Sequence, residues 1–436
     1  MATTYATKTL GTPTLATKNT LSIWFKRSKL STSQALLFGS SNGGGINIHH
    51  TDSIIFYNSS GSLRTNRLLR DTSAWYHIVV TTDTTLGTAD DRLKMYINGV
   101  QETSFLSRGN PSQDAASSLG SATAHDIGRN NSPANYFDGS MSHINFIDGT
   151  AYDASYFGET DATTGEWKIK TSPSVTYGTN GFFILKDGNS VTDQSGEGND
   201  FTVGAGALTK TEDSPSNVFC TLNTLAQTKS DSLFKYANNQ VKITADVGQR
   251  NFISTLAMSS GKFYFEAKLD NIGTNYSGSA PYIGIFAYPN YVGSQYVGDT
   301  GGAGYNTGGS IYSNGGSATN AGASYTTGDK IGCAVDLDNN KIYWHKDGTY
   351  VSNGTGTGNP STGANGYDIS AITALGDVAF CLSGFNINAE WACNFGNGYF
   401  GDTIISSAGT NASGNGIFEY DVPTGFTALS TKGLNL

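Results

Sequence analysis

Residues 92–102, Arg-Leu-Lys-Met-Tyr-Ile-Asn-Gly-Val-Gln-Glu, constrain the fold more than any other stretch of the chain. Apolar and polar residues alternate with period two, and Asn98-Gly99 interrupts them. That pattern specifies a β-hairpin closed by a type I′ turn, whose two central residues both need φ > 0. The signature returns in Lys341-Ile-Tyr-Trp-His-Lys-Asp-Gly-Thr349, with Asp347-Gly348 at the turn. Other short runs fit strands. Leu21, Ile23 and Phe25 share one face. Residues 75–81 read as a half-buried strand with Tyr76, Ile78 and Val80 on its richer face. In 260–269, Phe263, Phe265, Ala267 and Leu269 share one face, and Tyr264, Glu266 and Lys268 the other. Composition agrees. Of 436 residues 55 are Gly and only eight are Glu, and charged residues are 14%, against roughly 25% in ordinary domains. Coiled coils and helical bundles are excluded, and collagen too, because the glycines have no triplet period. With 11% aromatic residues the chain can bury sizeable cores.

The net charge of −9 argues against nucleic acid as a partner. No run of about 18 apolar residues predicts membrane insertion. The start, MATTYATKTLGTPTL, shows no apolar leader segment. Cys220, Cys333, Cys381 and Cys393 fit no zinc spacing, and three lie in apolar runs, so they are expected to be buried, reduced thiols.

"LSIWFKRS", "AWYHIVVTTD", "RLKMYINGVQETSF" and "FDGSMSHINFIDGTAYD", in that order, resemble the concanavalin-like jelly roll of laminin-G-type domains. The resemblance spans about residues 10–160. The following stretch, with the turn Asp193–Asp200, continues the domain to residue 212. Residues 213–249 read as a junction, containing Pro215, and the first strands of a second domain. "SGKFYFEAKL", "YIGIF", "GDKIGCAVDLDNNKIYWHKDG" and "ACNFGNGYF" resemble the SPRY domain over 250–400, and 401–436 reads as a tail packing on it. The fold expected is all-β: two tandem antiparallel β-sandwiches, a concanavalin-like jelly roll followed by a SPRY-like sandwich.

Catalytic signatures are missing. A glucanase on the first fold would carry an E-x-D-x-x-E strand. The nearest run, Glu266-Ala-Lys-Leu-Asp270, has the wrong spacing. No Gly-x-Ser-x-Gly, His-Glu-x-x-His or phosphate-loop motif occurs. His49-His50 reads as a hairpin or edge-strand pair, or as a metal or glycan contact. No cofactor is expected, and no metal site is assigned. The laminin-G resemblance leaves calcium open, with Asp90, Asp91 and Asp138 as candidates, although Asp83, Asp90 and Asp91 also suit a solvated loop.

Residues 271–328 hold one charge, Asp299, and eight tyrosines spaced by Gly, Ser, Asn, Thr and Ala. Such chemistry suits recognition: Tyr offers rigid amphipathic area, and small polar residues adapt their hydrogen bonds. Three uses remain open: contact with a partner, contact with another subunit, or packing on their own sandwich. Tyr288, Tyr291, Tyr296, Tyr305 and Tyr312 are the candidate partner-binding residues, because they fit no strand, whereas Tyr282 reads as framework.

The "DSPSNVFCTLN" junction and the ending "PTGFTAL" complete a resemblance to virion proteins of tailed phages, particularly those of marine bacteria. It implies a non-enzymatic virion protein (tail, fibre or head decoration), assembled in the host cytoplasm. Its implied partners are other virion proteins, further copies of itself and a host cell-surface glycan. The alternatives are a carbohydrate-degrading tailspike and a bacterial surface adhesin.

Overall fold

The computed structural model describes every residue except 1–2, 40–42, 59–60, 131–133, 187, 189, 227–230, 246–247, 275–280, 292–295, 386 and 436. The fold is all-β, and the chain divides into two compact units, Met1–Lys210 and Thr211–Leu436. Among the described residues, the first unit holds an eight-stranded and a six-stranded sheet. Strand Lys18–Arg27 lies inside the six-stranded sheet, paired antiparallel with Gly139–Asp148 and with Tyr76–Asp83. Leu21, Ile23, Phe25, Tyr76, Ile78 and Val80 project inward and meet Leu36, Ile46, Phe56 and Leu63 of the facing sheet. This apolar layer makes the two sheets a sandwich. The Asn98-Gly99 turn has φ of 48° and 79° and sets Ile97 opposite Val100. Both values are positive, as the type I′ turn requires.

One expectation needs correction. Tyr76–Asp83 is not half-buried: every residue through Thr82 is buried. Its outer face is closed by 150–177, which includes the small hairpin Gly158–Thr160 and Trp167–Ile169. Val79, Ile147, Phe157, Tyr177 and Phe183 form a second apolar cluster there, with Tyr96 and Trp167 packed against it.

The second unit repeats this plan with a nine-stranded and a six-stranded sheet among its described residues. Phe263, Phe265, Ala267 and Leu269 enter the core between them, beside Ile283, Val335, Trp344 and Trp391. All four cysteines are buried and free, and burial raises their thiol pKa values. Residues 213–225 lie within this unit. Phe219, Cys220 and Leu222 are buried, and Phe219 bridges to Ser430. The outer face of strand Lys262–Asn271 is covered by the C-terminal segment. There Phe418, Val422, Phe426 and Ala428 pack on Tyr264, Ala334 and Tyr343.

Candidate binding site

Each covered outer face contains a buried polar group with the geometry of a catalytic residue, and each is used up by the fold. In the first unit Ser22 Oγ lies 2.8 Å from His77 Nε2, the spacing of a nucleophile and its base. The indole N–H of Trp167 donates to His77 Nδ1 at 2.9 Å. An indole only donates, so Nδ1 accepts and the ring proton of neutral His77 sits on Nε2. It therefore donates to Ser22 and cannot take its proton. Trp24 stacks on the imidazole, centroids 4.5 Å apart, and burial pushes the His77 pKa down to about 3.

In the second unit Gly348 N donates to His345 Nδ1 at 3.1 Å, which fixes the same tautomer. His345 Nε2 then donates to Tyr264 Oη at 2.6 Å, and Tyr264 Oη donates to Glu266 Oε1 at 2.9 Å. The Glu266 carboxylate also accepts from the backbone N–H groups of Glu419 and Tyr420, both at 2.9 Å, and from Asn394 Nδ2 at 3.3 Å. All four partners donate, so the arrangement suits the ionised carboxylate. Burial opposes ionisation and is the larger effect, pushing the Glu266 pKa up to about 7. Burial likewise pushes His345 down to about 4, against the opposing charge of Asp347. Gly332 sits across the sheet from both Glu266 and His345. A Cβ at that position would lie 1.9 Å from His345 Nε2, so only glycine leaves room for the ring. Glu266 is fully buried and cannot meet a substrate.

The five tyrosines read as a recognition set do not share one exposed surface. Tyr305 and Tyr312 lie in strands Gly302–Asn306 and Ser310–Ser313, which extend the six-stranded sheet. This corrects the expectation that they fit no strand. Tyr305 is 0% exposed, packs on Tyr325 and Trp344, and donates its hydroxyl to Ala323 O. A partner cannot reach it. Tyr296 and Tyr312 lean on the Tyr282 ring at 5.4 and 6.0 Å, and Tyr291 donates to Asn251 O at 2.9 Å. These three are half-buried against their own sheet. Of the five, only Tyr288, 48% exposed, stands at the surface. Tyr276 lies outside the described residues. The glycines explain the misreading. Gly302 and Gly304 are strand residues whose missing side chains admit Val297; a Cβ on Gly302 would lie 2.0 Å from Val297 O.

The calcium candidates do not converge. Asp83 pairs with Lys18 at 2.9 Å, Asp90 with Arg108 at 3.2 Å and Asp91 with Lys94 at 3.3 Å. Asp138 is half-buried, and burial raises its pKa. His49 and His50 occupy a hairpin turn with their rings 3.9 Å apart, and Arg64 Nη2 lies 2.8 Å from His49 Nδ1. No group of three metal-ligating side chains occurs among the described residues. The turn at Asp193 is structural: its carboxylate accepts from Phe183 N, Ser195 N, Ser195 Oγ and Asn199 N.

Sequence reasoning missed one open feature. A groove of about 480 Å³ lies where Thr349–Tyr350, at one edge of the nine-stranded sheet, approaches the 321–323 segment that follows the last strand of the six-stranded sheet. Ser352 N donates to Ala321 O at 3.1 Å, joining two of its lining residues. Lys346, Asp347, Tyr350 and Thr357 contribute to its walls. Its only sequence signal was the Asp347-Gly348 turn, which places these residues at an edge without showing what faces them.

Comparison with known proteins finds a family model and solved structures similar to the chain. A family model for the concanavalin A-like lectin/glucanases superfamily (Laminin_G_3) matches residues 2–155, within the first unit. Solved SPRY domains are also similar to the chain. The domain of human HERC1 is 14% identical, with 37% of this chain and 91% of that one covered and a TM-score of 0.28. Another human SPRY domain is 15% identical, with 38% and 94% covered and a TM-score of 0.27. The TRIM65 PSpry domain is 12% identical, with 40% and 91% covered and a TM-score of 0.29. No curated protein matches the chain.

Proposed function

We propose that this chain is a non-enzymatic binding protein of a phage virion, offering a glycan- or protein-binding surface on its β-sandwiches. The observation that carries the non-enzymatic part is the locked tautomer of His77. The Ser22–His77 pair has its ring proton on Nε2, the nitrogen that faces the hydroxyl, which is the wrong nitrogen for base catalysis. The fully donor-saturated Glu266 supports it. The lectin side of the first unit's superfamily supports a carbohydrate partner, while its glucanase side supports the tailspike alternative. The virion setting rests on the order of sequence signatures, from the first sandwich through "DSPSNVFCTLN" to "PTGFTAL". The test has two parts. Mass spectrometry of purified particles should find the chain in stoichiometric amounts. Purified protein should bind host cells or host polysaccharide and release no reducing ends. Release of reducing ends in proportion to protein would replace this reading with the tailspike, and absence from particles would favour the adhesin.

A further inference from the structure

We infer that the groove at the open edge of the second unit is a binding site for a neutral, hydroxyl-rich glycan, an inference that rests on the binding reading above. Three observations converge on that ligand class. The first is size: about 480 Å³ falls within the range of small-ligand sites, roughly 300–1,000 Å³. The second is lining chemistry. Half-buried Tyr350 is the aromatic residue of the lining, and Thr349, Ser352 and Thr357 are hydroxyl residues, whose side chains both donate and accept. Sugars present the matching pair, C–H faces and hydroxyl edges. The third is charge. Lys346 Nζ lies 3.3 Å from Asp329 and 3.2 Å from Asp347, so the groove's cation is already neutralised by its own chain. An anionic polysaccharide finds no free counter-charge there.

A peptide strand is the poorer fit. Strand addition needs an edge with unpaired backbone groups. Here Val351 N donates to Trp344 O at 3.0 Å, Gly358 N to Val351 O at 3.0 Å and Ser352 N to Ala321 O at 3.1 Å, so the edge is occupied internally. The wall is also rigid before any ligand arrives. Tyr350 meets the His345 ring edge-on at 5.3 Å. His345 is held by Gly348 N and Tyr264, and the turn glycine Gly348, φ 85°, packs under Tyr420. A stacking side chain fixed in advance loses little entropy on binding. The Tyr350 hydroxyl is buried and has no hydrogen-bond partner, so the ring and not the phenol is what the site uses.

The full-length protein is titrated with dextran, mannan, laminarin and galactan as neutral probes and with alginate as an acidic one. Binding to at least one neutral probe is expected, with alginate at least tenfold weaker. Tyr350→Ala should weaken that binding at least tenfold, and Tyr350→Phe should leave it within twofold. Because Tyr350→Ala removes packing as well, Thr357→Trp provides an independent block: Thr357 is exposed, so the melt stays unchanged while the added indole fills the groove and abolishes binding. If neutral glycan binds and neither Tyr350→Ala nor Thr357→Trp weakens it, the groove is not the site, while the broader binding reading stands. If no neutral probe binds, or alginate binds best, the inference is overturned. The broader reading then falls only if the protein also fails to bind host cells.

Discussion

In the first unit, the outer face of the six-stranded sheet is closed by 150–177, and its buried anchor is neutral: Trp167 donates to His77, and His77 donates to Ser22. In the second unit, the equivalent face is closed by the C-terminal segment, and its anchor ends in a carboxylate: His345 donates to Tyr264, and Tyr264 to Glu266. Both histidines are neutral and carry the proton on Nε2. The difference lies in what receives the chain of donors. A hydroxyl can donate onward and costs little to bury. A carboxylate must collect donors from every side, and here two of them are backbone N–H groups of the covering segment itself. The second unit therefore ties its cover to one titratable residue, and the first does not.

The comparison breaks most readily at Gly332. Gly332→Ala drives a methyl into the His345 ring and should cost about 3 kcal/mol or more, from overpacking plus a disrupted buried network. Thermal unfolding of the variant checks this; an unchanged melt means the His345 ring is free to move aside.

Next in size is the response to pH. His77 titrates near 3 folded against 6.5 unfolded, so its contribution is present above 6.5 and is lost as pH falls towards 3. Over 6.5 to 4.5 the loss is about 2–3 kcal/mol. His49 and His125 are also lowered, burial being the first cause, and act in the same direction. In the second unit His345, near 4 against 6.5, acts the same way. Glu266 is raised from 4.5 to about 7, so the folded state binds the extra proton, and stability is lost as pH rises through that window. The two effects oppose each other, so between pH 4.5 and 6.5 the second unit responds less to acidification than the first. Hydrogen exchange by mass spectrometry, corrected for intrinsic rates, should show the first unit weakening on acidification more than the second. Parallel weakening would mean that Glu266 does not bind its proton in that range.

A smaller effect sharpens the neutral side. Trp167→Phe keeps an aromatic ring but leaves His77 Nδ1 buried without its donor, at a cost of about 1–2 kcal/mol. A denaturant midpoint shift in that range is expected. No shift would mean the cover is held by packing alone.

What could be read from the sequence follows from what alternation reports. It reports which residues share a face of a strand, and so it located both hairpins and the inward sets at Leu21–Phe25 and Phe263–Leu269. It is silent about the opposite face. Tyr264 and Glu266 were grouped correctly on the face opposite Phe263 and Phe265, yet the cover over them, 417–428, has no strand period and lies more than 150 residues away in sequence for Glu419. Trp167 and His77 are 90 residues apart, and nothing local joins them. The tyrosines were misread for a related reason. Glycine can mark either a flexible loop or a close approach inside a sheet, and at Gly302 and Gly304 it is the second.

The measurement that bears most directly on the carboxylate anchor is amide exchange at Glu419 and Tyr420 in the native protein, compared with Glu266→Gln. A glutamine amide presents hydrogens where the carboxylate accepted them, so some of the four donors lose their acceptor. Hydrogen bonds to a charged group contribute about 1.5–3 kcal/mol each, so exchange at these two amides should accelerate at least about tenfold. The sheet amides of Phe265 and Ala267 should keep their protection. Unchanged protection at Glu419 and Tyr420 in Glu266→Gln would contradict the account, because the cover would then be held without the carboxylate.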